Sequence, residues 1–167
     1  MDRQQIGLKL TMDALGLPLS VGSFDDRLIL QKIVVIAQIA GVDLGYHFHW
    51  YLRGPYSPAL TRDAFAVANE AEVFVTDAAG CHLDEASLKR LAQLRTLVAT
   101  KDRGDLASKL ELLGSTVFLL HRRGISGDDT AELQRILKAY GKDFSMAQID
   151  SGLRELDEYG LWSSGSK

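Results

Sequence analysis

Two histidines and a cysteine–histidine pair are the side chains of this sequence that could bind a metal ion. His47 and His49 lie two residues apart in an aromatic run, and Cys81 directly precedes His82. Structural zinc sites combine four such thiolate and imidazole ligands. The chain has one cysteine and therefore no Cys-x-x-Cys spacing. We interpret the two histidines as a semi-exposed polar face, and we predict neither a metal ion nor a cofactor.

The turn from Arg53 to Ser57 could bind another protein. Gly54 and Pro55 restrict its backbone, and Ser57 stands where it would cap the next helix. Arginine and tyrosine are the side chains that most often anchor protein interfaces. The predicted partner-binding residues are His47, His49, Tyr51, Arg53 and Tyr56. In the alternative interpretation, this turn only fixes a core helix against the strand.

Basic side chains form a second candidate surface, one that would contact the phosphates of DNA. The residues of this alternative are Arg53, Arg62, Lys89, Arg90, Arg95, Lys101 and Arg103. At about 100° per helical residue, Arg90 and Lys101 share a direction while Arg95 points elsewhere. We therefore favour a solvated helix face over a continuous phosphate-binding stripe.

The last two predicted helices, 129–140 and 145–159, have the spacing of a helix-turn-helix. The core positions of the second helix are expected to be Met146, Ile149, Leu153 and Leu156. Its outward face then holds Arg154 and four acids, namely Asp150, Glu155, Asp157 and Glu158. Phosphate would repel such a face, which favours a protein-binding or structural use of this pair.

Hydrophobic periodicity, capping residues and glycines predict a mostly helical chain. A helix that is apolar nearly all round, from Leu28 to Ala40, is expected at the centre of the core. Gly114 falls inside a predicted helix, which indicates a close approach between helices. The other predicted helices span 2–15, 58–71, 84–100, 105–123, 129–140 and 145–159.

Residues 46–51 alternate between aromatic and polar side chains, which is the period of a half-buried strand. The β-branched and aromatic run 73–76 is expected to pair with it as a small ribbon. Helix, helix, strand, helix and strand would then follow one another, as in a winged helix. We therefore predict a mainly α, winged-helix-related domain with a small β-ribbon.

Composition narrows the class of protein. With 167 residues, 46% of them hydrophobic, the chain can bury a core. We expect two lobes to share this core, a winged-helix-like lobe (1–80) and a helical lobe (81–162). A flexible tail (163–167) is expected to follow them. A net charge of −3 provides no global attraction for nucleic acid. The single cysteine agrees with a reducing cytoplasm. The most apolar stretch, 33–40, is too short to span a membrane.

Residues 30–58 resemble the signature of the YwgA-like family of small bacterial and archaeal proteins and, more distantly, the Panacea or SocA-type antitoxin domain, which shares a Leu-Gln-Lys helix and a Gly-Pro turn. The matching segments are Leu30-Gln31-Lys32-Ile33, Gly45-Tyr46-His47-Phe48 and Tyr51-Leu52-Arg53-Gly54-Pro55-Tyr56-Ser57-Pro58. The resemblance implies a non-catalytic, winged-helix-related module linked to toxin neutralisation, phage defence or regulation.

These observations favour a cytoplasmic regulatory or antitoxin-like module that binds a protein, such as a toxin, a nuclease or a defence component. The alternative is a winged-helix transcriptional regulator that binds DNA. No nucleophile elbow, paired catalytic carboxylates or phosphate-binding glycine motif is present, so we predict no enzymatic activity. A homodimer formed through the last two helices is compatible with both hypotheses.

Overall fold

The structure is a computed structural model that describes residues 1–99 and 102–163. As predicted, the described chain is mainly α-helical and contains one small antiparallel sheet of two strands, β1 (His49–Tyr51) and β2 (Gly54–Tyr56). The helices are α1 (Arg3–Leu15), α2 (Phe24–Ile39), α3 (Pro58–Asn69), α4 (Ala71–Asp77), α5 (Glu85–Leu97), α6 (Arg103–Arg123), α7 (Thr130–Ala139) and α8 (Met146–Glu158). Among the described residues, no helix is both long enough and apolar enough to cross a bilayer.

Short polar side chains fix where the helices begin. Asp2, Ser23 and Ser145 each form a capping box with the first turn of their helix. Ser57 accepts a hydrogen bond from the first turn of α3, and Pro58 follows it at the first helical position. These bonds satisfy backbone N–H groups that a helix leaves unpaired at its start. The predicted helices therefore occur within a few residues of their expected starts.

Helix α2 is the centre of the core, as its composition predicts. Ten consecutive residues, Leu28–Ala37, are buried. Helix α6 packs along α2, and a Cβ atom at Gly114 would lie 3.1 Å from Cβ of Lys32. The predicted close approach at Gly114 is confirmed. Buried side chains from both halves of the chain belong to one hydrophobic cluster.

Strands β1 and β2 form a hairpin with a two-residue turn. Tyr51 pairs with Gly54 and His49 pairs with Tyr56, so that Leu52 and Arg53 form the tip. The strand predicted over 46–51 is therefore partly correct. Its ladder begins only at His49, although the expected alternation of more buried and more exposed residues runs through the whole segment.

The prediction of a second strand at 73–76 is wrong, because these residues lie in α4. β1 pairs instead with β2 across the short turn, and closing so small a loop loses less chain entropy than reaching residue 73. Val73 and Val75 are exposed, so this segment has no buried face of the kind that a strand needs. The observed order of elements is helix, helix, hairpin, helix and helix, which differs from the order that indicated a winged helix.

Helices α7 and α8 pack together, and α8 also packs on α6. Ile149, Leu153 and Leu156 are buried as predicted, whereas Met146 is 43% exposed, so its assignment to the core is wrong. Met146 is the first residue of α8, and a helical side chain leans back towards the N-terminal end. It therefore lies towards the preceding loop instead of the core.

Adding a side chain at Gly114, where α2 and α6 are in close contact, should destabilise the protein. We expect Gly114→Val to lower the free energy of unfolding by about 2 to 3 kcal/mol, because the added atoms overlap the stem of Lys32. The measurement is urea denaturation followed by circular dichroism. Gly7→Ala in α1 is the control, since its Cβ would contact only Leu44, at 3.5 Å, and it should raise stability by about 1 kcal/mol. A Gly114→Val protein as stable as the wild type would contradict the tight packing.

Candidate functional site

The tip of the hairpin requires a glycine at its base. Gly54 has φ of +86°, a conformation that side chains with a Cβ seldom adopt. A Cβ atom there would also lie 2.5 Å from Oγ of Ser115 on α6. The chain thus turns directly over α6 and presents Leu52 and Arg53 to solvent.

Two side chains of α2 form hydrogen bonds with the backbone of β2 and of the residue that follows it. Nζ of Lys32 donates a hydrogen bond of 2.8 Å to the carbonyl oxygen of Pro55. The side chain of Gln31 donates to the carbonyl of Ser57 at 3.0 Å and accepts from its N–H at 2.9 Å. Gln31 and Lys32 belong to the Leu-Gln-Lys motif, whose polar residues therefore bind the backbone that follows the turn.

Two buried lysines meet beneath the hairpin, and we call Lys32, Lys142 and Glu111 the buried lysine cluster. Lys32 is 2% exposed and Lys142 is 4% exposed. Lys142 forms an ion pair with Glu111, which leaves the two amines with one carboxylate. Ser115 beside them is buried and has no hydrogen-bond partner for its hydroxyl among the described residues. The hairpin therefore covers a region with more donors than acceptors.

Burial changes the proton affinity of both amines. Loss of solvent, together with the charge of Lys142, lowers the pKa of Lys32 to about 7, while Glu111 acts in the opposite direction. The pKa of Lys142 is also lowered by burial, against the effect of Glu111. Both amines therefore bind protons less tightly than the amines of exposed lysines do.

The exposed side of the hairpin collects large side chains, and we call Phe24, Tyr51, Leu52, Arg53 and Tyr56 the hairpin surface. Tyr51 is 61% exposed, Leu52 is 74% exposed, and Phe24, at the start of α2, is 52% exposed. The guanidinium of Arg53 lies 5.4 Å from the centre of the Phe24 ring. The rings of Tyr51 and Tyr56 are 5.8 Å apart. These contacts hold exposed apolar groups in place, a combination typical of binding surfaces.

Hydrogen bonds anchor the edge of this surface. Oγ1 of Thr61, in α3, donates to the hydroxyl of Tyr56 at 3.0 Å. At the start of α2, Arg103 forms an ion pair with Asp26. Burial by itself would raise the pKa of the Asp26 carboxyl. Hydrogen bonds from Arg103 and Ser20 outweigh burial and lower this pKa to about 2.

The hairpin brings together four of the five residues predicted to bind a partner: His49, Tyr51, Arg53 and Tyr56. His49 lies at the open end of the hairpin, opposite Tyr56, and His47 precedes the strand. Both histidines are exposed, as expected for a polar face. The prediction missed Phe24 and Leu52. Their signals were a large apolar side chain directly after a capping serine and another inside a turn, where polar residues are usual.

The histidines and Cys81 do not form a metal site in the described part of the chain. Cys81 is exposed, and Nδ1 of His82 lies 3.3 Å from the carbonyl of Gly80 in its own loop. Among residues 1–99 and 102–163, no group of three or more His, Cys, Asp or Glu side chains could hold a metal ion.

The basic residues of the DNA alternative lie apart. Arg90 donates to the carbonyl of Gly41, just beyond the C-terminal end of α2, at 3.1 Å, whereas Arg103 binds Asp26 at the opposite end. With 16 residues in α2, these ends are about 24 Å apart.

The remaining basic residues of this set lie on other elements. Arg95 packs against Gly16 at the end of α1, Arg62 pairs with Asp63 on α3 at 3.2 Å, and Lys89 is exposed on α5. Lys101 lies outside the described residues. Arg53, the last member of the set, lies at the hairpin tip beside Phe24. The described residues of the set are therefore spread over the hairpin, α3, α5 and the start of α6.

In comparisons with protein families, with curated proteins and with solved structures, the chain matches none. The resemblance of residues 30–58 to the YwgA-like family and to the Panacea or SocA-type domain therefore stays a prediction.

The buried amine of Lys32 should make stability depend on pH. Its folded pKa is about 7, whereas an unfolded lysine titrates near 10.4. Between these values the unfolded chain binds the extra proton, so this group makes stability rise with pH, by up to about 1.4 kcal/mol per pH unit. Below about pH 7 both states hold the proton and the slope vanishes.

The measurement is urea denaturation of the wild type and of Lys32→Met at pH values from 6 to 9. We subtract the free energy of unfolding of Lys32→Met from that of the wild type. This difference should rise steadily with pH above pH 7 and stay constant below it. Lys138→Met removes an exposed lysine of α7 and should keep the wild-type slope. Parallel curves for the wild type and Lys32→Met would contradict a desolvated amine at this position.

Replacing Gly54 should displace the hairpin. We expect Gly54→Ala to lose about 2 to 4 kcal/mol of stability, since strain in φ is added to a collision with Ser115. Gly80→Ala is a matched control, because Gly80 has φ of +78° and nothing within 4 Å of the added Cβ, so only the strain of about 1 kcal/mol applies. Chemical denaturation measures both variants. Equal losses would show that Gly54 is needed for its backbone conformation alone.

Proposed function

We propose that this protein is a non-catalytic regulatory module of the antitoxin or defence-associated kind, which acts by binding a protein partner through the hairpin surface. A cytoplasmic location is part of the proposal, in agreement with the single cysteine. The observation that supports it best is the exposure of Tyr51 and Leu52 on a hairpin whose base is buried, beside the exposed Phe24 at the start of α2.

The hairpin surface has the composition of an interface centre. It joins two tyrosines and an arginine, which dominate binding energies, to a phenylalanine and a leucine. The contact between Arg53 and Phe24 and that between Tyr51 and Tyr56 restrict these side chains before binding. A partner then has less conformational entropy to remove. The mechanism is steric, through occlusion or recruitment of the partner.

The distribution of basic residues favours a protein over DNA as this partner. Arg90 and Arg103 lie at opposite ends of α2 and each contacts an acceptor of its own chain. Tight binding of DNA uses several cations that follow one phosphate backbone. The separation of Arg90 from Arg103 by the length of α2 therefore supports a protein as the partner.

Two substitutions at the tip should weaken partner binding without affecting folding. We expect Leu52→Asp/Arg53→Glu to weaken binding at least tenfold, because it removes an apolar side chain that is 74% exposed and reverses a charge, a combined loss of more than about 1.4 kcal/mol. The measurement is isothermal titration calorimetry against proteins encoded beside the gene, each purified separately. Circular dichroism should show unchanged helix content.

Leu88→Asp/Lys89→Glu is a matched control, since it makes the same changes at an exposed leucine and its basic neighbour on α5. It should bind as the wild type does. Equal affinity of the tip variant and the wild type would exclude the hairpin surface. Binding of promoter DNA that weakens steeply as salt rises would favour the DNA alternative instead.

A further inference from the structure

Both edges of the second strand of the hairpin are occupied. On one side β2 pairs with β1. On the other side the carbonyl of Pro55 accepts a hydrogen bond from Lys32, and the N–H and carbonyl of Ser57, just after β2, both bind Gln31. Pro55 and Ser57 are two residues apart, which is the spacing at which a neighbouring strand would bind their backbone. Two side chains of α2 therefore take the place of a third strand beside β2.

The outer edge of the first strand has no such partner. Trp50 lies opposite Pro55 in the ladder, and proline has no N–H. This pair is therefore the kind that exchanges no hydrogen bonds, and the N–H and carbonyl of Trp50 point away from β2. Within residues 1–99 and 102–163, no hydrogen bond reaches the backbone of Trp50 or of Phe48, two residues earlier. We call these backbone groups of Phe48 and Trp50 the β1 edge.

The composition of this segment suits it for pairing with another strand. Residues 46–51 include four aromatic side chains, and aromatic residues are typical of strands. The same segment contains no proline, lysine or carboxylate, although native proteins commonly use such residues to protect an open edge. His49 and Tyr51, on either side of Trp50, are exposed. Another chain can therefore reach the backbone between them.

We infer that an extended segment of the partner protein adds to the β1 edge as a third strand. The inference rests on the proposed function, in which the hairpin binds a protein, and it specifies how that protein binds. The segment accepts a hydrogen bond from the N–H of Trp50 and donates one to its carbonyl. The same groups of Phe48 extend the pairing by one more position.

The side chains beside the edge determine which segments fit. Alternate residues of an added strand face opposite sides of the sheet. One set lies beside the exposed ring of Tyr51, and the other lies beside Trp50 and Tyr140, whose rings are 4.9 Å apart. Because both sides offer aromatic rings, the segment that fits is one with apolar or aromatic side chains on both of its faces.

A second copy of this chain is a poorer occupant of the β1 edge. The strand has three residues, so two hairpins joined edge to edge would share only a few residues from each chain. A stable interface buries about 1,200 Å² or more and uses about 20 residues on each side. A segment of a partner can instead continue from the edge onto the hairpin surface, because Tyr51 borders both.

Amide hydrogen exchange, measured by NMR on isotope-labelled protein, tests the edge directly. In the free protein we expect the amide of Trp50 to exchange at least about tenfold faster than those of His49 and Tyr51, which bond to β2. The proteins encoded beside the gene are then added one at a time, and the one that binds should slow the Trp50 amide about tenfold or more. The amide of Glu85, in the first turn of α5, is the control and should exchange at the same rate in both samples.

Two variants at one position separate the backbone from the ring. Trp50→Pro removes the outward N–H and Trp50→Leu keeps it, while both lose the indole. Proline already occupies the opposite position, at Pro55, so the ladder accommodates it there. In isothermal titration calorimetry against the same neighbouring protein, we expect Trp50→Pro to bind at least about tenfold more weakly than Trp50→Leu. If circular dichroism shows that Trp50→Pro loses helix content, the exchange measurement decides alone.

Each other outcome removes the inference. Slow exchange of the Trp50 amide in the free protein would show that the edge is closed. Binding that leaves this amide unprotected, or equal affinities of the two folded variants, would refute strand addition and leave the proposed function intact. Protection that increases with the concentration of the chain alone would identify a second copy as the occupant. If no neighbouring protein binds, the proposed function and this inference fail together.

Discussion

The burial of one amine, that of Lys32, constrains most of what surrounds the hairpin. An amine in the protein interior requires an acceptor, and Lys32 finds it in the carbonyl of Pro55. The hairpin cannot lift or slide without breaking that bond. Two glycines make the arrangement possible, since Gly114 leaves room for the stem of Lys32 and Gly54 leaves room near its amine. A side chain at either glycine would meet Lys32 or the neighbouring Ser115.

This constraint divides the hairpin into a fixed base and an exposed tip. The base is buried between α2 and α6, while Leu52 and Arg53 project from it. A protein that docks on such a tip finds its contacts already ordered, which reduces the entropy lost on binding. The same division explains why the large exposed side chains do not compromise the fold, because the core beneath the tip is complete without them.

Charge is distributed unevenly over a chain whose net charge is only −3. Cations lie at the hairpin end of α3, and acids predominate from Glu70 to Glu85 at its other end. The residues with most cationic neighbours in the sequence, around Arg90 and Arg95, instead serve the fold by contacting the ends of α2 and α1. At the hairpin, by contrast, a cation and exposed aromatic rings occur together.

The sequence by itself indicated those interactions that join residues only a few positions apart along the chain. The capping residue Ser57 indicated a helix start, the aromatic alternation before Tyr51 indicated a half-buried segment, and the turn at Gly54 indicated a candidate surface. The tertiary structure alone decided which segments pair and which side chains remain outside. Residues 73–76 have strand composition and yet form α4, since the strand they would have joined pairs with its nearest neighbour along the chain. Phe24 joins Arg53 only because α2 starts beneath the hairpin. The physical reason is that capping and turn bonds are local, whereas burial depends on which distant elements pack together.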